Sequence, residues 1–199
     1  MQKMKASEFC LRLREIAALN TRYAKGAYGC FATCGHLDFL RRLYPDWYTD
    51  NTYNRLEESG AYLFDCVCLI KTVLNGWCHD PVEQFGGASP GKSIADVGTE
   101  GIMKTPHVHS VSRDFSNIVR GAILHKQGHV AVYVGENSIV EATKRAGVDG
   151  VRVAPLDDSW ASWGLLACVD YSTDAKIPVS GFYDPATGKL EIDMKKSLA

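Results

Sequence analysis

From residue 118 onward the chain reads as a series of short strands, and this pattern constrains the fold more than any other feature. Residues 118–124, 130–134, 139–143, 150–153 and 165–171 are apolar runs of strand length, several of them separated by glycine-containing turns. Strands joined so closely pair antiparallel. The tail adds a hairpin signal, Phe182-Tyr183-Asp184-Pro185-Ala186-Thr187-Gly188-Lys189-Leu190.

The first half reads differently. Phe9, Leu13, Ile16 and Leu19 recur at helical spacing. Ser7 is placed to cap that helix, Glu8 favours its dipole and Asn20 is placed to end it. Residues 34–60 are irregular, with a short helix expected around 36–43. A helix is expected from Cys66 to about Trp77, with Leu69, Ile70, Val73, Leu74 and Trp77 as its buried stripe. Residues 80–116 are rich in Gly, Pro, Ser and His and read as a long loop with at most one short helix. Helices first and an antiparallel sheet after them make an α+β domain. At 199 residues and 46% hydrophobic content, the chain can build one substantial core.

Net charge is −1 with the signs mixed along the chain, so there is no nucleic-acid footprint. No apolar run is long enough to span a bilayer, and no membrane association is expected. The seven cysteines are odd in number and irregular in spacing. The start, Met1-Gln2-Lys3-Met4-Lys5, lacks the apolar core of a signal peptide. Cytoplasmic synthesis with mostly reduced thiols is therefore expected.

The chemistry lies in two segments. Asp65-Cys66 stands between Tyr62-Leu63-Phe64 and the run Leu69-Ile70-Lys71-Thr72-Val73-Leu74. A cysteine there sits at a helix N-terminus, which favours a thiolate and offers free N–H groups to an oxyanion. Further on come Gly128-His129-Val130-Ala131-Val132-Tyr133-Val134-Gly135 and Val140-Glu141-Ala142. His129 has the chemistry to act as general base and acid, and Glu141 to orient its ring, the roles of a nucleophile–base–orienter triad. Strand parity sets a condition. A plain two-residue turn at Glu136-Asn137 puts His129 and Glu141 on opposite faces. A three-residue loop, Glu136-Asn137-Ser138, puts them on one face and the valines on the other, and that loop is expected. Cys68, two positions into the helix, is the competing nucleophile and is assigned to core packing. Cys10, Cys30, Cys34, Cys78 and Cys168 lack such a setting.

These segments resemble the NlpC (p-sixty) family of cell-wall cysteine peptidases. The family's Asp-Cys-Ser-Gly-Leu corresponds to Asp65-Cys66-Val67-Cys68-Leu69, with Val67 and Cys68 as departures. Its Gly-His-Val-Gly-Ile-Tyr-Ile-Gly strand corresponds to residues 128–135. Its third polar residue falls at Glu141, and an upstream Tyr-x-x-Gly at Tyr23-Ala24-Lys25-Gly26. The resemblance covers roughly residues 23–171. It implies a papain-like, NlpC-type fold with the nucleophile-bearing helix packed on the antiparallel sheet. It also implies a single domain over 1–199 with insertions near 34–60 and 80–116. The implied activity is an endolysin-like hydrolysis of peptidoglycan stem peptides at D-γ-glutamyl bonds, through Cys66, His129 and Glu141 and without a cofactor. Tyr23 and Asp65 are the implied substrate-binding residues, Asp65 for a free amine. A monomer acting on the cell wall after release is the matching expectation.

Other readings compete. Muramoyl-L-alanine amidase activity, another amide hydrolysis or acyl transfer would use the same thiol. A non-catalytic wall-binding protein on the same fold is a different class. Residues 86–93 fit the phosphate-loop pattern G-x-x-x-x-G-K-[ST] but lack the preceding buried strand and following helix that the motif needs. Zinc would need Cys30, Cys34 and His36, or His107 and His109, which make no complete four-ligand pattern.

Overall fold

The computed structural model describes residues 3–145 and 147–172, and the backbone of 181–184 and 189–192. In chain order the elements are β1 (Met4–Lys5), α1 (Ala6–Ala17), β2 (Thr21–Tyr23), β3 (Tyr28–Phe31), α2 (Cys34–Leu43), α3 (Asp50–Glu57), β4 (Tyr62–Phe64), α4 (Cys66–Leu74) and α5 (Thr99–Ile102). The strands β5 (Val108–Ser112), β6 (Ile123–Lys126), β7 (His129–Gly135), β8 (Ser138–Arg145), β9 (Val148–Pro155), β10 (Ser162–Leu166) and β11 (Val169–Asp170) follow. The expected tail hairpin forms as β12 (Gly181–Asp184) against β13 (Lys189–Ile192).

The expected α+β class is what the chain adopts. Six strands form one antiparallel sheet in the order β5-β10-β6-β7-β8-β9. Against one face pack α1, through Phe9, Leu13 and Ile16, and α4, through Leu69, Ile70 and Val73, over Val130, Val132, Val134, Val140 and Ala142. A nine-residue helix has little stability of its own, so α4 depends on this packing. Each fully buried Leu or Ile contributes about 1.5–3 kcal/mol. The opposite face carries a smaller cluster of Leu124, Ala131, Ile139 and Trp160.

Several boundaries differ from expectation. Lys5 rather than Ser7 precedes the first helix, with no side-chain cap, because β1 pairs with β11 and runs straight into α1. The strand expected from 118 begins at Ile123, since Gly121 at φ +85° turns the chain just before it. Helix α4 ends at Leu74, with Gly76 in a left-handed conformation beyond it. Helix α3 was not expected. Its start is set by Thr49, whose side chain accepts from the Thr52 N–H, so Asp50 and Asn51 serve a helix start rather than a loop. A second sheet, β2-β4-β3, was also not expected, and its β2–β4 pair is parallel. It delivers β4 directly into Asp65 and α4.

The hairpin carrying His129 and Glu141 corrects the loop expectation. The turn has two residues, Glu136 and Asn137, at φ +55° and +53°. Val132 pairs with Val140 and Tyr133 with Ile139, but Gly135 pairs with Ser138, so the register slips by one between Tyr133 and Gly135. This bulge adds the odd residue that the parity argument had assigned to the loop. It keeps His129 and Glu141 on one face and the valines on the other.

Candidate active site

Asp65 is the N-cap of α4. One carboxylate oxygen accepts from the Cys68 N–H at 2.6 Å, and the other accepts from the Gly26 N–H at 2.8 Å. The carboxylate thus ties the Tyr23–Gly26 segment to the first turn of the helix that carries Cys66. Gly26 is required there: its φ is +73°, and a Cβ would stand 2.1 Å from the Tyr44 ring.

His129 and Glu141 meet directly. Nε2 of His129 lies 2.6 Å from Glu141 Oε2, and both side chains are buried. Sequence reasoning missed the next partner. Arg152, paired with Glu141 across β8 and β9, donates to Oε1 from Nε at 2.8 Å and from Nη2 at 2.7 Å. Burial raises the Glu141 carboxyl, but the hydrogen bonds and charges of His129 and Arg152 outweigh it and hold the group below its ordinary value. Trp160, also missed, stacks on the imidazole with ring centroids 5.6 Å apart and 25° between planes, and Lys126 Nζ lies 4.3 Å from the indole centroid on the Trp160 ring.

Cys66 opens α4 and is only 5% exposed. Its sulfur takes hydrogen bonds from the Val130 N–H, the Thr99 side chain and the Val67 N–H. Val130 directly follows His129. Among the described residues no hydrogen bond joins the sulfur to the imidazole. Burial, and then the Asp65 carboxylate, push the thiol up, and the three hydrogen bonds do not reverse this. At this thiol burial and Asp65 outweigh the helix N-terminus.

Thr99 arrives from the 80–116 segment, where no periodicity marked it. Its neighbour Glu100 accepts from the Gly128 N–H at 3.2 Å and lies 3.1 Å from His125 Nε2, pinning α5 to the turn before His129. Tyr23 lies on the other side. Burial, then the nearby Cys66 and Asp65, push its phenol well up. The 34–60 segment supports this wall: Trp47 packs against Tyr23, and Arg55 pairs with Asp149, which accepts from the Tyr23 N–H at 3.1 Å.

A cavity of about 340 Å³ opens beside the first turn of α4, lined by Gly26, Tyr28, Tyr44, Asp65, Cys68 and Lys71 among others. A larger one, about 590 Å³, lies at the start of α1 against Lys3, Glu8 and Cys168, and Cys66, His129 and Glu141 line neither cavity. Cys68 is buried, and burial pushes its thiol well above the ordinary range, so it is a poor nucleophile.

Residues 86–93 have no strand before them and no helix directly after them. Asn75, at the far end of α4, holds this segment through the N–H groups of Ser89 and Ser93. Its pattern serves packing. Among the described residues, no three His, Cys, Asp or Glu side chains gather as a metal-ligand set, and no helix is long and apolar enough to cross a membrane.

No family model matches the chain, and no curated protein matches it in sequence. In three dimensions it is similar to the structure of NlpC1 from Trichomonas vaginalis. The TM-score is 0.44 at 11% sequence identity, over 80% of this chain and 43% of that one. The chain thus spans less than half the length of that protein. At such identity and TM-score the likeness carries no argument about chemistry, which is read from the residues themselves.

Proposed function

We propose that this chain is an NlpC-type, papain-like cysteine peptidase that hydrolyses an amide bond of peptidoglycan stem peptides. The observation that carries the reading is the bond from His129 to Glu141. It occupies Nε2 and leaves Nδ1 for the thiol, with the ring held by Glu141 on one side and Trp160 on its face.

In this reaction His129 Nδ1 takes the Cys66 proton. The thiolate attacks the carbonyl carbon, a C–S bond forms and the carbonyl electron pair moves to oxygen. The Cys66 N–H, at the first position of α4, receives that oxyanion. Its collapse breaks the C–N bond, and the proton on Nδ1 passes to the departing amine. Water then gives a proton to Nδ1 and attacks the thioester. The C–S bond breaks, the acid product leaves and the thiol regains its proton. The raised Cys66 thiol fits a cysteine that is deprotonated by its base at the moment of attack.

The D-γ-glutamyl bond is the preferred target, from the resemblance of Asp65-Cys66 and of residues 128–135 to the family motifs. Tyr23 lines the site, and Asp65, at the wall of the 340 Å³ cavity, receives the substrate amine through the second lone pairs of its oxygens. The enzyme works as a monomer on the cell wall after release. Purified peptidoglycans of different stem chemistry, incubated with wild type and Cys66→Ala and followed by mass analysis, test this. New fragments from the wild type alone name the bond. No fragments from any wall, with a folded protein, refute the reading.

A further inference from the structure

We propose that Arg152 is a positioning residue of this site: its guanidinium holds Oε1 of Glu141 so that Oε2 faces His129, and it governs how readily the imidazole takes the Cys66 proton. This inference rests on the thiol–imidazole reading above.

The geometry divides the carboxylate cleanly. Two guanidinium nitrogens converge on Oε1, and the imidazole takes Oε2. Arg152 stands directly opposite Glu141 in the β8–β9 ladder, so both partners are anchored by backbone register. The carboxylate is buried, while the Arg152 side chain is 39% exposed. Arg152 therefore reaches a buried charge from the solvent side, and its replacement leaves Oε1 without a partner. A buried carboxylate shared between two cations acts on each less than one held by a single cation. With Arg152 present, His129 feels part of the Glu141 charge. Without it, His129 feels the whole.

Other charged groups surround the ring. From β6 and the adjoining turn come His125 and Lys126, with Glu100 of α5 on His125. Beyond Val130, the next residue of the strand, lie Cys66 and Asp65 of α4, with Tyr23 of β2 close to both. Asp157 feels both Lys126 and Arg152. None of these touches Glu141, so Arg152 is its sole cationic partner besides His129 among the described contacts.

The test needs no substrate. Cys66 is alkylated with iodoacetate across the pH range, and the modified Cys66 peptide is quantified by mass spectrometry. Burial raises the thiol, so its early reactivity depends on handing its proton to neutral His129, and the wild-type rate is expected to rise in two steps, first as the imidazole becomes free to accept that proton and again as the thiol ionises by itself. In Arg152→Met the limb of the first step is expected about one pH unit higher, because an unshared carboxylate favours the imidazolium. Arg152→Lys, which restores the charge, is expected to bring the limb most of the way back. In a Glu141→Gln background the Met substitution is expected to move the limb less. Should Arg152→Met fail to fold, Arg152→Gln carries the same expectation. A limb that stays in place in a folded Arg152 variant, with a two-step wild type, overturns the role of Arg152 alone. A wild-type profile with a single step, at the ionisation of the thiol itself, overturns the thiol–imidazole reading and this inference with it.

Discussion

Gly26 donates its N–H to Asp65 at 2.8 Å, and Asp65 with its other oxygen caps the helix that begins at Cys66. One buried carboxylate therefore joins the segment carrying Tyr23 to the segment carrying the thiol. Position 65 must accept twice, once toward each backbone.

Asp65→Asn isolates that demand. Asn caps helices about as well as Asp, but its amide nitrogen would face one of the two N–H donors. A loss of about 1–3 kcal/mol is expected, the cost of a buried unsatisfied donor. The midpoint of chemical unfolding measures it. An unchanged midpoint would show that the Gly26 bond contributes nothing.

Gly86→Ala is expected to be severe. A Cβ there would lie 1.9 Å from Trp77 Nε1 and 2.4 Å from the Gly29 carbonyl, at φ +59°. Overpacking and backbone strain together cost about 2 kcal/mol or more. Lys92→Ala, on an exposed side chain of the same motif, is expected within about 0.5 kcal/mol of wild type. ATP is expected to leave the melting temperature of both proteins unmoved. Melting curves with and without nucleotide read all three outcomes.

Glu141 makes stability depend on acid. Its folded carboxyl lies below the ordinary 4.5, so the unfolded chain binds the proton more readily. Its contribution is complete above about pH 4.5 and is lost as pH falls through the lower folded value. Glu141→Gln removes this dependence at its source. The stability of the variant is expected to fall less steeply than wild type below pH 4.5 in acid titrations followed by circular dichroism.

Trp160 separates ring from nitrogen. Its Nε1 is buried with no hydrogen-bond partner, while its face stacks on His129. Trp160→Phe keeps an aromatic face and removes the unsatisfied group, so a change under about 1.5 kcal/mol is expected. Trp160→Ala leaves a void and is expected to cost about 3–5 kcal/mol. Thermal unfolding of the two variants distinguishes the roles; equal losses would refute the stacking argument.

The α+β class was legible because strand and helix periods occupy separate halves of the chain. Cys66, His129 and Glu141 stood out because each sits at a position that element boundaries or parity define. The parity argument also showed that an odd residue was needed between His129 and Glu141, but placed it in the loop rather than in a bulge at Gly135. Composition does not separate those two solutions. Strands β2 and β4 are three residues long, too short for alternation to register, and their parallel pairing is set by partners distant in sequence. Thr99 could not be found because its role comes from where a loop without periodicity returns. Arg152 had a signal, its place opposite Glu141, but reading it required the β8–β9 register first.

The slip at Gly135 has an evolutionary corollary. Exposed surface loops can gain or lose residues while the remainder of a chain accommodates them. The hairpin between His129 and Glu141 cannot, because its length counts in twos: removing one residue would turn the carboxylate toward the valines, and removing two would keep the facing but shorten the reach. Drift in this chain is therefore gated in length across these thirteen positions, 129 to 141.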